Sequence, residues 1–209
     1  MRRSQAPVLL AFRFTHGITA VRQPDAAARR AGRGDEAYDR FVRTSTAGMP
    51  VTVRDAHESE LEELATLWYD AWRDGHEAVV PAELTRRRTR ERFRDRLQEA
   101  LAEVRVAGPI GAPVGFSMVK RDELYQLFVG AQSRGSGVAA ALIADAEARL
   151  RGRGVETAWL TCAIGNERAA RFYEKCGWYR SGTVIEELDT PEGTLHLKAW
   201  RYEKQLGQT

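Results

Sequence analysis

Hydrophobic and polar positions fall into a readable order from about residue 51 onward. Val51 and Val53 alternate with polar neighbours, the period of a half-buried strand. Leu61, Leu64, Ala65, Trp68, Ala71 and Trp72 recur at helical spacing, with Ser59 placed to cap the helix they mark. Gly75 and Pro81 punctuate the loop that follows. A second helix is predicted over residues 85–101, with Phe93, Leu97 and Leu101 on one face. Its arginines interleave with Glu91, Asp95 and Glu99, which reads as a solvated face of i,i+4 pairs rather than a nucleic-acid patch. Strands are predicted at 103–107, 114–120, 122–129 and 157–162, and helices at 138–150 and 166–176. Residues 179–188 and 195–203 pair as a hairpin across Thr190-Pro191-Glu192-Gly193. The order β-α-α-β-β-β-α-β-α-β-β predicts a mixed α/β (α+β) domain, with a central sheet of about seven strands flanked by about four helices.

Residues 1–48 lack this order. Arg, Ala, Gly and Pro dominate, and no period persists. They are expected to form a basic, disordered extension to a domain over residues 49–209. The apolar run at 6–12 is short, is cut by Arg13 and leads to no cleavage site, so a secretion signal is not expected. Met49-Pro50 directly precedes the first patterned strand and marks an alternative start of translation. Charge follows the same division. The extension holds nine of the 32 basic residues and four of the 29 acidic ones, a net of +5, which leaves −2 for the rest. The basic balance is therefore no argument for nucleic-acid binding by the domain. No apolar run approaches the roughly 20 residues of a spanning helix, so no membrane span is expected. Cys162 and Cys176 lack metal-ligand spacing, which suggests buried thiols in a reduced, cytoplasmic protein with no metal.

The chemistry concentrates at Arg134-Gly135-Ser136-Gly137-Val138-Ala139, between an apolar strand and an alanine-rich helix. A strand feeding a helix through two glycines exposes backbone N–H groups at the helix start, and the helix dipole adds partial positive charge. Such a place suits phosphate or pyrophosphate. A P-loop would need Gly-Lys-Ser/Thr, and no lysine follows Gly137. Gly135, Gly137 and Ala140 have the spacing of a dinucleotide fingerprint, but the strand at 157–162 has no carboxylate for the ribose.

The flanking residues resemble a third class. Arg134, Gly137 and Ala139 match the (Arg/Gln)-x-x-Gly-x-(Gly/Ala) motif of the GNAT family of acyl-coenzyme A-dependent N-acetyltransferases. Asn166, Ala169, Phe172, Tyr173, Gly177 and Trp178 match its Asn-x-x-Ala-x-x-Phe-Tyr-x-x-x-Gly-aromatic pattern. The resemblance covers about residues 49–206, closely over 120–180. It implies a GNAT-type fold and acetyl-CoA as acyl donor. The amides of Arg134, Gly135, Ser136, Gly137, Val138 and Ala139 would take the pyrophosphate, and Leu127, Phe128 and Val129 would pair with the pantetheine arm. Asn166 and Ala169 would complete that site. The resemblance also implies a bulge that splays the strand at 122–129 from the strand at 157–162.

Direct acetyl transfer to an amine needs a proton acceptor, because a free lysine-like amine is almost wholly protonated at pH 7. Glu123 is the candidate base, since parity places it with Tyr125 and Leu127 on one face of its strand. Tyr173 occupies the tyrosine position whose hydroxyl protonates or hydrogen-bonds the departing sulfur in the family. A backbone N–H of Phe128 or Val129 is the expected oxyanion donor. The acceptor is less specified. Trp72 and His76 lead as acceptor-binding residues, with Glu77, Trp159, Glu186 and His196 as further candidates. The expected substrate is a primary amine on a small molecule or amino-acid derivative. A protein N-terminus or lysine is the alternative, and a non-catalytic acetyl-CoA sensor is the alternative of another class. A homodimer remains open.

Overall fold

In the computed structural model, which describes residues 51–190 and 193–207, the chain starts with β1 (Val53–Asp55) and a 3-10 turn (Glu58–Glu60). Helices α1 (Leu61–His76), α2 (Ala82–Arg87) and α3 (Arg90–Glu99) follow. Strands β2 (Val104–Ala107), β3 (Gly115–Lys120) and β4 (Glu123–Val129) lead to α4 (Val138–Gly152). Then come β5 (Thr157–Ala163), α5 (Glu167–Lys175), β6 (Tyr179–Thr190) and β7 (Gly193–Gln205). The seven strands form one mixed sheet in the order β1-β2-β3-β4-β5-β7-β6. The basic segment 1–48 and the hairpin tip at Pro191-Glu192 lie outside the described residues.

Each face of the sheet carries its own core. On one face, Leu64 and Trp68 of α1 and Phe93 and Leu97 of α3 cover Phe116 and Met118 of β3. Trp68 lies 4.6 Å from Phe93 and 5.2 Å from Phe116 between ring centroids, and burial of each such side chain stabilises by about 1.5–3 kcal/mol. All six apolar positions of the α1 stripe are buried. On the other face, Ile143 and Leu150 of α4 pack with Leu124, Leu160, Trp178 and Tyr202. A buried ion pair closes that side: Lys204 Nζ lies 2.8 Å from Glu147 Oε2, and Trp178 Nε1 donates to Glu147 Oε1 at 2.8 Å.

Two local expectations are overturned. The helix read over residues 85–101 is two helices, which raises the helix count from four to five among the described residues. Arg88 leaves helical geometry (φ −88°, ψ 87°), and the Thr89 side chain caps α3 by accepting from the Arg92 N–H at 3.4 Å. A threonine that satisfies the new helix start competes with continuation of the old one. Ser59 is not the cap of α1 either. It lies inside the 3-10 turn, whose start is capped by His57 Nδ1 accepting from the Ser59 N–H at 3.3 Å.

The feature that shapes the site is in β4. Met118 pairs with Gln126 and Val119 with Leu124, which leaves Tyr125 as an extra residue. Such a bulge bends and twists a strand. β4 and its parallel neighbour β5 accordingly share one register pair, Glu123 with Trp159. Beyond that pair the strands part, and the β5-facing edge of β4 has no strand partner among the described residues.

Candidate active site

The opening between β4 and β5 is the mouth of a cavity of about 530 Å³, lined by every residue of β4. Its outer end is the glycine turn. Gly135 (φ 78°) and Gly137 (φ 85°) take left-handed backbone that other residues rarely adopt. Gly137 is the N-cap of α4 and no side chain caps that helix. The first α4 bond from beyond the cap runs from the Ala141 N–H to the Gly137 carbonyl at 3.0 Å. The amides of Val138, Ala139 and Ala140 therefore precede the hydrogen-bonded ladder and point out of the helix start.

Leu127, Phe128, Val129, Arg134, Gly135, Gly137, Ala139, Asn166, Ala169 and Tyr173, all named from the sequence, line this cavity. Ser136 and Val138 do not. The Ser136 hydroxyl folds back to the Ser133 carbonyl at 2.6 Å, and the Val138 side chain is buried against Ala107 and Leu142. The Ser136 N–H also donates to the Ser133 carbonyl, at 3.5 Å, so of these two residues the Val138 amide is the donor left for a ligand. Asn166 caps α5, its Oδ1 accepting from the Ala169 N–H at 3.2 Å. Arg134 is engaged by Asp74 at 2.6 Å, and the same carboxylate oxygen takes Arg168 at 2.5 Å. Those hydrogen bonds, Arg168 foremost, hold Asp74 below the usual carboxylate range. They tie the end of α1 to the glycine turn and to the start of α5, a junction that no local pattern announces.

At the inner end, Glu123 is only 6% exposed. Burial, reinforced by the nearby charge of Glu186, pushes its carboxyl up to about 8. The face assigned to it from parity needs correction. Tyr125 and Phe128 pack on the α1–α3 side and Leu127 on the α4 side. Glu123 pairs with Lys120, on the same face of β3 as Met118 and Phe116, so it shares its face with Tyr125 and Phe128, not with Leu127. The bulge breaks the two-residue count. Tyr173 is 9% exposed, and burial first, then Cys162 and Cys176, raises its hydroxyl far above the usual tyrosine range. A phenol so placed stays protonated at any working pH and can donate.

Trp72 and His76 form the opposite wall, stacked at 5.3 Å with 5° between their planes. Trp72 is also a core residue, buried against Phe93. His76 Nδ1 lies 3.0 Å from the Trp72 carbonyl, and burial lowers its pKa, so the ring is neutral at pH 7. Trp159 and Glu186 line the cavity as well. Glu77 and His196 do not. They are surface residues paired with Arg73 and with Glu187. The sequence reading missed Arg88, Arg96 and Arg201, three guanidinium groups that long-range packing brings to the cavity wall. Among the described residues no cluster of His, Cys, Asp or Glu could hold a metal ion, and no helix is long and apolar enough to cross a membrane.

The arrangement offers amides at a helix start, a free strand edge, a buried carboxyl and a buried phenol in one cleft. The model of the Acetyltransferase (GNAT) family matches residues 58–178, more than half of the sequence, and the chain belongs to this family. No curated protein matches the sequence. Among solved structures, a GCN5-related N-acetyltransferase from Rhodopseudomonas palustris is similar over 76% of this chain and 99% of its own, at 19% identity and a TM-score of 0.59. The PaiA N-acetyltransferase from Thermoplasma acidophilum, in complex with coenzyme A, matches over 75% and 99%, at 18% identity and a TM-score of 0.57. A phosphinothricin acetyltransferase from Sinorhizobium meliloti, in complex with acetyl-CoA, matches over 76% and 90%, at 17% identity and a TM-score of 0.58. At these identities the likeness is one of fold.

Proposed function

We propose that this protein transfers the acetyl group of acetyl-CoA to a primary amine on a small molecule or amino-acid derivative. The observation that carries the reading is continuity. One cleft runs from the uncapped start of α4, along the unpaired edge of β4, to Glu123 and Tyr173. Its chemistry fits the donor: amides for a pyrophosphate, a strand edge for a peptide-like arm, and a desolvated end for a thioester. Two proteins of the same fold were solved with coenzyme A or acetyl-CoA, which supports that choice.

Acetyl-CoA supplies an activated thioester when bound. The chain's own contributions are then specific. Amides from Gly137 to Ala140 would hold the phosphates, with Asn166 and Ala169 completing the site. The edge of β4 would orient the arm, and an amide of Phe128 or Val129 would be the oxyanion donor. Glu123, poised near 8, accepts the amine proton, directly or through water. Tyr173, held protonated, would donate a hydrogen bond to the departing sulfur. Trp72 and His76 shield the acceptor from water. We assign the reaction to residues 49–209, with 1–48 as a basic extension. The free, buried thiols of Cys162 and Cys176 suit the cytoplasm.

Thiol release from acetyl-CoA, measured across small amines, amino acids and peptides, tests the assignment. Stimulation by a small amine is the expected result. Stimulation by peptides alone makes the protein a protein acetyltransferase. Tight binding of acetyl-CoA with no stimulation by any amine makes it a sensor.

A further inference from the structure

The acceptor end of the cavity contains a charge that acetyl transfer does not use. Arg88 lines the wall at the break between α2 and α3. Its Nε is fully buried with no hydrogen-bond partner, and among the described residues no ion pair engages the guanidinium. One side of it is covered by Trp72, with the guanidinium carbon 5.9 Å from the ring centroid. A second cation, Arg96, lines the same cavity, 4.4 Å above the Trp68 ring and 2.8 Å from the Tyr125 hydroxyl. Burial, and then the charge of Arg96, lowers the Arg88 pKa to about 10. Arg92 adds to that repulsion, while Tyr125 and Glu186 oppose it. A buried guanidinium nitrogen without a hydrogen-bond partner is unfavourable unless an acceptor, best an anion, reaches the group. A guanidinium fork matches a carboxylate in shape as well as charge.

We propose that Arg88, backed by Arg96, anchors a carboxylate on the acceptor, so that the substrate is a small amine that also carries an acid group. Glu186 lines the same cavity as Glu123 and Arg88 and acts electrostatically on both. The amine lies toward Glu123 and Glu186, and the carboxylate toward Arg88. A polyamine, with cations throughout, would meet Arg88 and Arg96 with like charge. The proposal rests on the acetyltransferase reading for the position of the amine, but not for the anion site itself.

The test uses matched pairs of acceptors, amino acids against the amines left when the carboxylate is removed, with the full chain. Wild type should favour the acid-bearing member by about 10–100-fold in kcat/KM, chiefly through KM. Arg88→Met should bring that ratio toward one, and Arg88→Lys should restore part of it. A second readout needs no turnover: the preferred amino acid, with coenzyme A present, should raise Tm in wild type and not in Arg88→Met. Preference for the decarboxylated amine, or a ratio unmoved in a folded Arg88→Met protein, would overturn the anion site. An Arg88-dependent Tm shift without any acetyl transfer would instead sink the acetyltransferase reading and leave the anion site standing.

Discussion

Replacing Glu123 with Gln should make the protein more stable and less active, by amounts that depend on pH. The carboxyl titrates at about 8 in the fold against an ordinary 4.5, with burial as the first cause. A raised folded pKa favours the neutral form, so the contribution is fully present below pH 4.5 and is lost as pH rises toward 8. Each pKa unit is worth about 1.4 kcal/mol. Holding an ionised or ionisable Glu123 in the folded state therefore costs about 1 kcal/mol at pH 5, about 3 kcal/mol at pH 7 and about 5 kcal/mol at pH 9. Gln has the shape of the neutral acid and escapes that penalty. Urea unfolding of both proteins at the three pH values should show Glu123→Gln gaining on wild type as pH rises, then levelling above pH 8. In parallel, wild-type kcat/KM should rise with pH to an acid limb near 8, because only about one carboxyl in ten is ionised at pH 7. That limb should vanish in the variant, with activity lowest relative to wild type at high pH. A stability difference that stays flat from pH 5 to 9 would refute the buried-carboxyl argument. An unchanged limb would remove Glu123 as the base.

Other expectations follow from single contacts. Tyr173→Phe should lower kcat by about 10²-fold or more while KM for acetyl-CoA and Tm hold, because only a proton donor is lost; steady-state kinetics beside a melting curve checks this. Lys204→Met should destabilise by about 3–5 kcal/mol, because it leaves Glu147 buried without its cation. Adding Glu147→Gln should recover part of that loss, and a double-mutant cycle from urea unfolding measures the coupling.

The parts legible in the sequence were those with local causes. The α1 stripe and the glycine turn each rest on residues close to one another in the chain, so spacing alone reveals them. The break at Arg88-Thr89 was hidden because arginines on both sides are good helix formers, and only the threonine cap marks the restart. A bulge in this strand was implied by the family resemblance, but no glycine marks its place at Tyr125, and one extra residue moved Leu127 to the opposite face from Glu123. The Asp74 junction and the Arg88–Arg96 pair join segments far apart in the chain or turned together by tertiary packing. No periodicity encodes such meetings. The acceptor wall was accordingly the least legible region, while the donor half was the most.

On the proposed function, the phosphates of an acyl-coenzyme A bind at the uncapped start of α4. Calorimetric titration of acetyl-CoA and of acetyl-pantetheine, which lacks the phosphates, into wild type and Gly137→Glu tests it most directly. The account predicts tight binding of acetyl-CoA to wild type, much weaker binding of acetyl-pantetheine, and loss of that difference in Gly137→Glu, whose side chain would set a negative charge at the helix start. Equal affinity for the two ligands in wild type, or full acetyl-CoA affinity in a folded Gly137→Glu protein, would contradict it.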